Sequence, residues 1–259
     1  MRGAVLLLLA GCFHPAPESG APCSPNGACP TPLLCIAEVC TTRGTPADAG
    51  DGPPSGPTLL LHMDDDPADG ALDSAGAHIV GCDPQCPTLT GNAYAGQAYR
   101  FRGKQSLAVT PGADFRPGDG GFTLATWVNV SAPPSALDGF SVLAAKGLPP
   151  ADASFGISVS GSPLHASYYT SQHQSDGTAS LELGTWHHVA MTWTGTTVAG
   201  YLDGVLDVEQ ASGPLALDDV TPLTIGVLNG ANVLVGNLDE LVYYDRALAE
   251  TEIAALAQP

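Results

Sequence analysis

From residue 58 to the C-terminus, short apolar runs alternate with clusters of glycine, proline, aspartate and serine. Runs rich in Val, Ile, Leu, Thr and aromatic residues, closed off by turn-formers, are the pattern of β-strands. They predict strands over 59–63, 99–101, 106–109, 122–130, 141–145, 155–159, 165–169, 186–193, 198–202, 223–227 and 238–244. Such a series, with no helix between its members, predicts an all-β, two-sheet antiparallel sandwich. Asp203-Gly204, set between two of these runs, suits a two-residue hairpin, because both turn positions take φ > 0. One short C-terminal helix is predicted. Leu248 and Ile253 are spaced as a hydrophobic staple about an N-cap at Ala249, with Glu252 at N3. Alanine has no side-chain acceptor, so the start of that helix is expected to fray.

The pattern before residue 58 is of another kind. Arg2 precedes the apolar stretch 4–10, which at ~7 residues is far below the ~20 that span a bilayer and reads as a signal peptide over 1–11. Leu8-Leu9-Ala10-Gly11-Cys12 resembles a bacterial lipobox, which implies cleavage before Cys12, its acylation, and an acylated segment over 12–22. An ordinary secretory signal with a stray cysteine is the alternative. Acyl chains would anchor the protein to a membrane. Phe13, in place of an aspartate, favours the outer membrane or cell surface.

The chain has 7 cysteines, and lipid on Cys12 would leave an even set: Cys23, Cys29, Cys35 and Cys40, then Cys82 and Cys86. In an exported chain these pair as disulfides. A zinc site is the alternative for the first four, but C-x5-C-x5-C-x4-C lacks the close knuckles zinc favours. Three pairings are open to them, with 23–35 and 29–40 preferred; Cys82 and Cys86 flank Asp83-Pro84-Gln85 and suit a local bridge. Residues 23–40 are then a disulfide-rich knot too small for its own core. Residues 41–57 form a Pro/Gly-rich linker of roughly 25 Å mean span, and 58–259 the sandwich.

Composition narrows the partners. Gly 31 and Pro 23 against Lys plus Arg 8 favour a loop-rich β protein, and 44% apolar residues suffice for one sizeable core. The formal charge of −18 becomes −19 when the leader takes away Arg2 and no acid. That argues against nucleic acid and anionic lipid surfaces, and leaves a cation, a basic protein or a neutral glycan. Taken alone, the charge signifies solubility.

Several phrases in one order then carry a resemblance. LLLHMDD with LDSAGAH, AGQAYRFRG, FTLATWVNV, LGTWHHVAMTW, GYLDGVLDV and LTIG with GNLDELVYYDRALAETEIAAL span nearly all of 58–259. Together they resemble the laminin-G-like jelly-roll domains of the concanavalin A-like lectin/glucanase superfamily. The sequence departs from the family in its Asp64-Asp65-Asp66-Pro67 loop, in Arg102 where an acid is common, and in the Cys82/Cys86 loop.

The resemblance implies a structural Ca²⁺ held by Asp73 and Asp239, with Asp66 of the acidic triplet as a further ligand; a hard cation needs six to eight such oxygens. The plainer reading is that Asp73 caps a turn and the acids are solvated. His187 and His188, adjacent in a strand, point to opposite faces and are given a structural role. Trp127, Trp186 and Trp193 are assigned to the core, and alternation turns one of Tyr168 and Tyr169 outward. The E-x-D-x-x-E pattern of retaining glycanases on this fold is absent, Asp239 and Glu240 are expected to face opposite ways, and no catalytic residue is assigned. The leading expectation is a lipid-anchored, non-catalytic module that recognises a glycan or a surface protein, in adhesion or envelope association. A glycan-active enzyme and a purely structural envelope protein are the alternatives. No ligand-binding residue is assigned.

Overall fold

The computed structural model describes residues 56–258 except 77, 112–114, 116–120, 136–138, 148–154, 172, 216–219 and 229, together with the backbone of 34–36 and 39–41. The chain divides into two compact units, Met1–Gly56 and Pro57–Pro259. Within the first, strands β1 (Leu34–Ile36) and β2 (Val39–Thr41) pair antiparallel in a register that sets Cys35 opposite Cys40. The leader, Cys12, Cys23 and Cys29 lie outside the described residues.

The second unit is an antiparallel sandwich. Its strands begin with β3 (Leu59–Leu61), β4 (Val80–Cys82), β5 (Thr88–Thr90), β6 (Ala98–Arg102), β7 (Leu107–Val109) and β8 (Phe122–Val130). They continue with β9 (Phe140–Lys146), β10 (Phe155–Ser160), β11 (His165–Thr170), β12 (Gln174–Ser180) and β13 (Trp186–Trp193). β14 (Thr197–Leu202), β15 (Val205–Ala211), β16 (Leu223–Ile225) and β17 (Val235–Tyr244) complete them, followed by helix α1 (Glu250–Leu256). One sheet runs β12-β11-β10-β9-β16-β7-β4, the other β15-β14-β13-β8-β17-β6-β5, with β3 also paired to β17. The fold read from the pattern is the fold observed.

Between the sheets lies one core of Leu, Ile, Val and aromatic side chains. At its centre Phe122 packs against Phe155 (ring centroids 4.3 Å), Tyr243 (5.8 Å) and Trp193 (6.0 Å). Asp203 and Gly204 take φ of 51° and 79°, the positive pair a tight hairpin requires. Cys82 and Cys86 are disulfide-bonded with Cα atoms 4.8 Å apart.

The exposed margins of the two sheets are stitched together. Asp207 on β15 accepts the backbone N–H groups of Thr178 (2.9 Å) and Ala179 (2.8 Å) on β12, and Gln210 accepts the Ser175 hydroxyl. Gly177 permits the approach, since a Cβ there would stand 1.9 Å from an Asp207 carboxylate oxygen. Charged side chains aimed at edge strands keep those edges from pairing with another chain.

Helix α1 begins where expected, and Glu252 holds its first turn. The carboxylate accepts the Ala249 N–H at 2.9 Å and pairs with both terminal nitrogens of Arg246 at 2.8 and 2.9 Å. That is half a capping box, supplied entirely by the N3 side. Through Leu248 and Ile253 the helix segment covers small residues on the outer face of the larger sheet. In that row Ala190, Ala125 and Val242 lie side by side on β13, β8 and β17.

Candidate functional site

Next to the helix-covered row, the same outer face changes chemistry. One row across β13, β8 and β17 is His188–Trp127–Asp239, and the next is Trp186–Asn129–Asn237, continued by Arg100 on β6. All nine residues of β8 are buried, so its two faces cannot be told apart by hydrophobic period. This corrects the assignment of Trp127 and of Trp186, which shares its face of the sheet, to the core. The Trp127 ring lies outside the intersheet core, on the outer face, stacked on Tyr94 at 3.4 Å between centroids and 11° between planes. Trp193 does join the core, as does Tyr168, whose hydroxyl donates to the Tyr201 carbonyl. Tyr169 turns to the opposite face of its sheet and packs with Val142, Ala145 and Leu228.

Tyr94 belongs to a strap, residues 91–97, tied down by polar groups of distant segments. Asp239 Oδ2 accepts the N–H groups of Tyr94 and Ala95, both at 2.9 Å, and Asn237 donates to the Asn92 carbonyl at 3.3 Å. Asp64 accepts the Gln97 N–H at 2.6 Å, and its own carbonyl accepts the Gln97 amide at 3.1 Å. Gly96 allows that closeness, because a Cβ there would stand 2.3 Å from Asp64 Oδ1.

Three polar atoms of this region are buried with no hydrogen-bond partner among the described residues: Tyr94 Oη, Trp186 Nε1 and His188 Nδ1. Each such group destabilises the fold by about 1–3 kcal/mol. The Tyr94–Trp127 stack returns about 0.5–1.5 kcal/mol beyond the area it buries. The histidine itself is only 2% exposed, and burial lowers its pKa to about 4 despite the opposing pull of Asp203.

The structure holds both histidines of the pair by the hairpin. His187 Nδ1 lies 2.8 Å from Asp203 Oδ2, and its Nε2 accepts the Glu182 N–H at 3.1 Å. Asp203 Oδ1 accepts the His188 N–H at 2.9 Å. The first loop of the sandwich, the Trp-His-His strand and the Asp-Gly turn are thus organised by carboxylates that accept backbone N–H groups.

The same holds for the residues expected to bind calcium. Asp73 accepts the N–H groups of Leu60, Ala75 and His78 and lies 3.0 Å from His78 Nδ1, all within 3.0 Å. Three backbone N–H groups and an imidazole nitrogen thus engage this carboxylate. Asp239 holds the strap and the Glu240 N–H, and Asp66 accepts the Ala68 N–H as N-cap of the 3₁₀ turn Pro67–Asp69. No three His, Cys, Asp or Glu side chains are gathered as a metal's ligands among the described residues. As arranged, these carboxylates do not fit a calcium cage. Burial raises the Asp239 pKa to about 7, against the lowering effect of its N–H bonds.

A β-bulge separates Asp239 from Val242, with Glu240 at φ 49°. It breaks the strict alternation on which the opposite facing of Asp239 and Glu240 was expected. Glu240 accordingly meets His62, whose Nδ1 lies 2.9 Å from both carboxylate oxygens; that bond raises the His62 pKa.

A family model described as Laminin_G_3, concanavalin A-like lectin/glucanases superfamily, matches residues 101–254. No curated protein matches the sequence. Among solved structures, domain 4 of AbnA, a GH43 extracellular arabinanase from Geobacillus stearothermophilus in complex with arabinotriose, is similar at TM-score 0.60 and 17% identity, covering 78% of this chain and 98% of that one. Trypanosoma rangeli sialidase is similar at TM-score 0.58 and 22% identity, over 77% of this chain but only 32% of the sialidase. The botulinum neurotoxin type G receptor binding domain is similar at TM-score 0.57 and 10% identity, over 78% of this chain and 51% of that one. At these identities the likeness is one of fold.

These neighbours overturn the exclusion of catalysis. The sandwich is shared by a domain of an arabinanase, a part of a sialidase and a toxin's receptor binding domain. Absence of one strand motif therefore does not set this chain apart from enzymes.

Proposed function

Because this chain belongs to the Laminin_G_3 family of the concanavalin A-like lectin/glucanases superfamily, we propose that its sandwich recognises a glycan or a surface protein, a glycan first. The observation that carries this reading is the likeness over 98% of the arabinanase domain solved with arabinotriose. The match is to a whole domain and not to a fragment of one. The receptor binding domain among the neighbours keeps a surface protein as the second kind of partner.

A glycan array probed with the full chain, first with calcium and then with chelator, tests the reading. Binding to a defined sugar class is expected, with signal unchanged by the chelator, since the candidate calcium ligands are engaged by N–H donors. Loss of signal with the chelator would restore a metal to the site. Release of sugar from the bound glycan would assign catalysis. A blank array would overturn glycan recognition and leave the surface protein.

Anchoring is the second part of the proposal. Acylated Cys12 would hold the protein at the outer membrane or cell surface, with residues 41–57 as tether. Metabolic labelling with a fatty acid is expected to mark the wild-type chain and to lose more than nine-tenths of the label in Cys12→Ser. Equal labelling of the two chains would reduce residues 1–12 to an ordinary export signal.

A further inference from the structure

The strap and the face beneath it carry a more specific assignment, which rests on the glycan reading above. We propose that the Trp127 face is a carbohydrate-ring site, and that the Tyr94 ring is a built-in plug lying where a sugar ring would stack.

The first observation is the shape of the contact. Two flat rings lie parallel, 3.4 Å between centroids, on the outside of a sheet whose intersheet core is complete without them. An exposed indole offers a flat apolar plate, and a sugar ring has an apolar face of C–H groups to lay on it. Its hydroxyls project from the edge and need donors and acceptors around the plate. Trp127 has such a rim: His188 is its neighbour on one strand and Asp239 on the other, with Trp186, Asn129 and Asn237 in the next row.

The second observation is the set of unpartnered atoms. His188 Nδ1, on a side chain 2% exposed, has its ring 5.4 Å from that of Trp127, centroid to centroid. Trp186 Nε1 can only donate, and it too is buried without a partner among the described residues. A face kept only for packing would gain by having apolar groups there. Hydroxyl groups of a bound sugar can accept from one and meet the other, which tyrosine, with a single hydroxyl itself left unpartnered, does not do.

The third is the manner of closure. Of residues 91–97 only Ala93 and Tyr94 are even partly buried, and the rest are exposed. The strap is held by hydrogen bonds to Asp239, Asn237 and Asp64 at its backbone. One side chain therefore has to leave for Trp127 to be uncovered, while the strap's polar attachments remain.

The test uses the full chain on the same glycan array. Tyr94→Ala is expected to raise the signal on the best wild-type sugar at least tenfold, and adding Trp127→Leu is expected to return it to the wild-type level or below. A thermal transition recorded for each variant shows that it is folded. Should the Trp127→Leu chain fail to fold, Tyr94→Ala alone decides. Wild-type binding with no gain in Tyr94→Ala overturns the proposal and leaves the glycan reading standing. A gain that survives folded Trp127→Leu also overturns it, because the sugar then lies elsewhere. A blank array for wild type and Tyr94→Ala alike overturns both.

Discussion

Phe122→Ala is expected to destabilise the sandwich by about 3–5 kcal/mol, the range for removing a buried aromatic ring that leaves a cavity. Phe122 is fully buried, and it is the common neighbour of Phe155, Tyr243 and Trp193. Its removal therefore subtracts three ring contacts as well as the transfer of the ring from water, and facing β-strands cannot close over the gap without losing their ladders. For a unit of this size the loss corresponds to a drop of about 6–20 °C in melting temperature. Urea unfolding followed by tryptophan emission measures it, since Trp127, Trp186 and Trp193 all sit in the sandwich strands or beside their core. Glu209→Ala, on edge strand β15, serves as the control and is expected to fall within about 0.5 kcal/mol of wild type. A Phe122→Ala chain within about 1 kcal/mol of wild type would mean that the aromatic cluster is not the keystone of the core.

That core was legible from the chain. Phe122–Val130 and Trp186–Trp193 carry their strand bounds in the apolar runs themselves, and Asp203-Gly204 gives the hairpin because its dihedrals admit few other residues. β12, of sequence QSDGTAS, escaped because an edge strand paired through its backbone has no need of apolar side chains. β4 and β5, three residues each, are too short for a period to show. None of these three strands falls within the family phrases either.

The site was far less legible, and the reason is physical. A sequence displays that Asp239 is a carboxylate, but not that backbone N–H groups about 145 residues away in the chain will meet it. The same aspartates suit a hard cation or a set of N–H donors, and only the fold decides between them. Tyr94 gives no sequence signal of its own; it lies in a glycine-bearing loop, and its partner Trp127 occupies a strand in which every position is buried. A hint lay in the polar members of that strand, Thr123, Thr126 and Asn129, buried among its apolar residues.

His188 gives the second large effect, and it depends on pH. Burial holds its pKa near 4 in the folded chain, while the unfolded chain has the ordinary histidine value near 6.5. Above the higher value the ring is neutral in both states and contributes nothing to the pH dependence. As pH falls from 6.5 towards 4 the unfolded chain takes up a proton that the folded one does not, so stability is lost across that window. The loss is on the order of 3 kcal/mol when complete. Its physical origin is the site itself: protonation would place a charge beside the Trp127 ring, where Nδ1 has no acceptor among the described residues to receive it. Phenylalanine keeps the size of the ring and removes the titration, and the backbone bonds between residue 188 and Asp203 do not involve the side chain. Urea midpoints of wild type and His188→Phe at pH 7, 6, 5 and 4 are therefore expected to diverge progressively, the variant gaining on wild type as the solution is acidified. Carboxylates that accept N–H bonds lose their hold in both chains alike, so the difference between the curves isolates this one ring. Parallel curves would show that His188 is solvated or partnered, and would remove one of the buried unpartnered groups around Trp127.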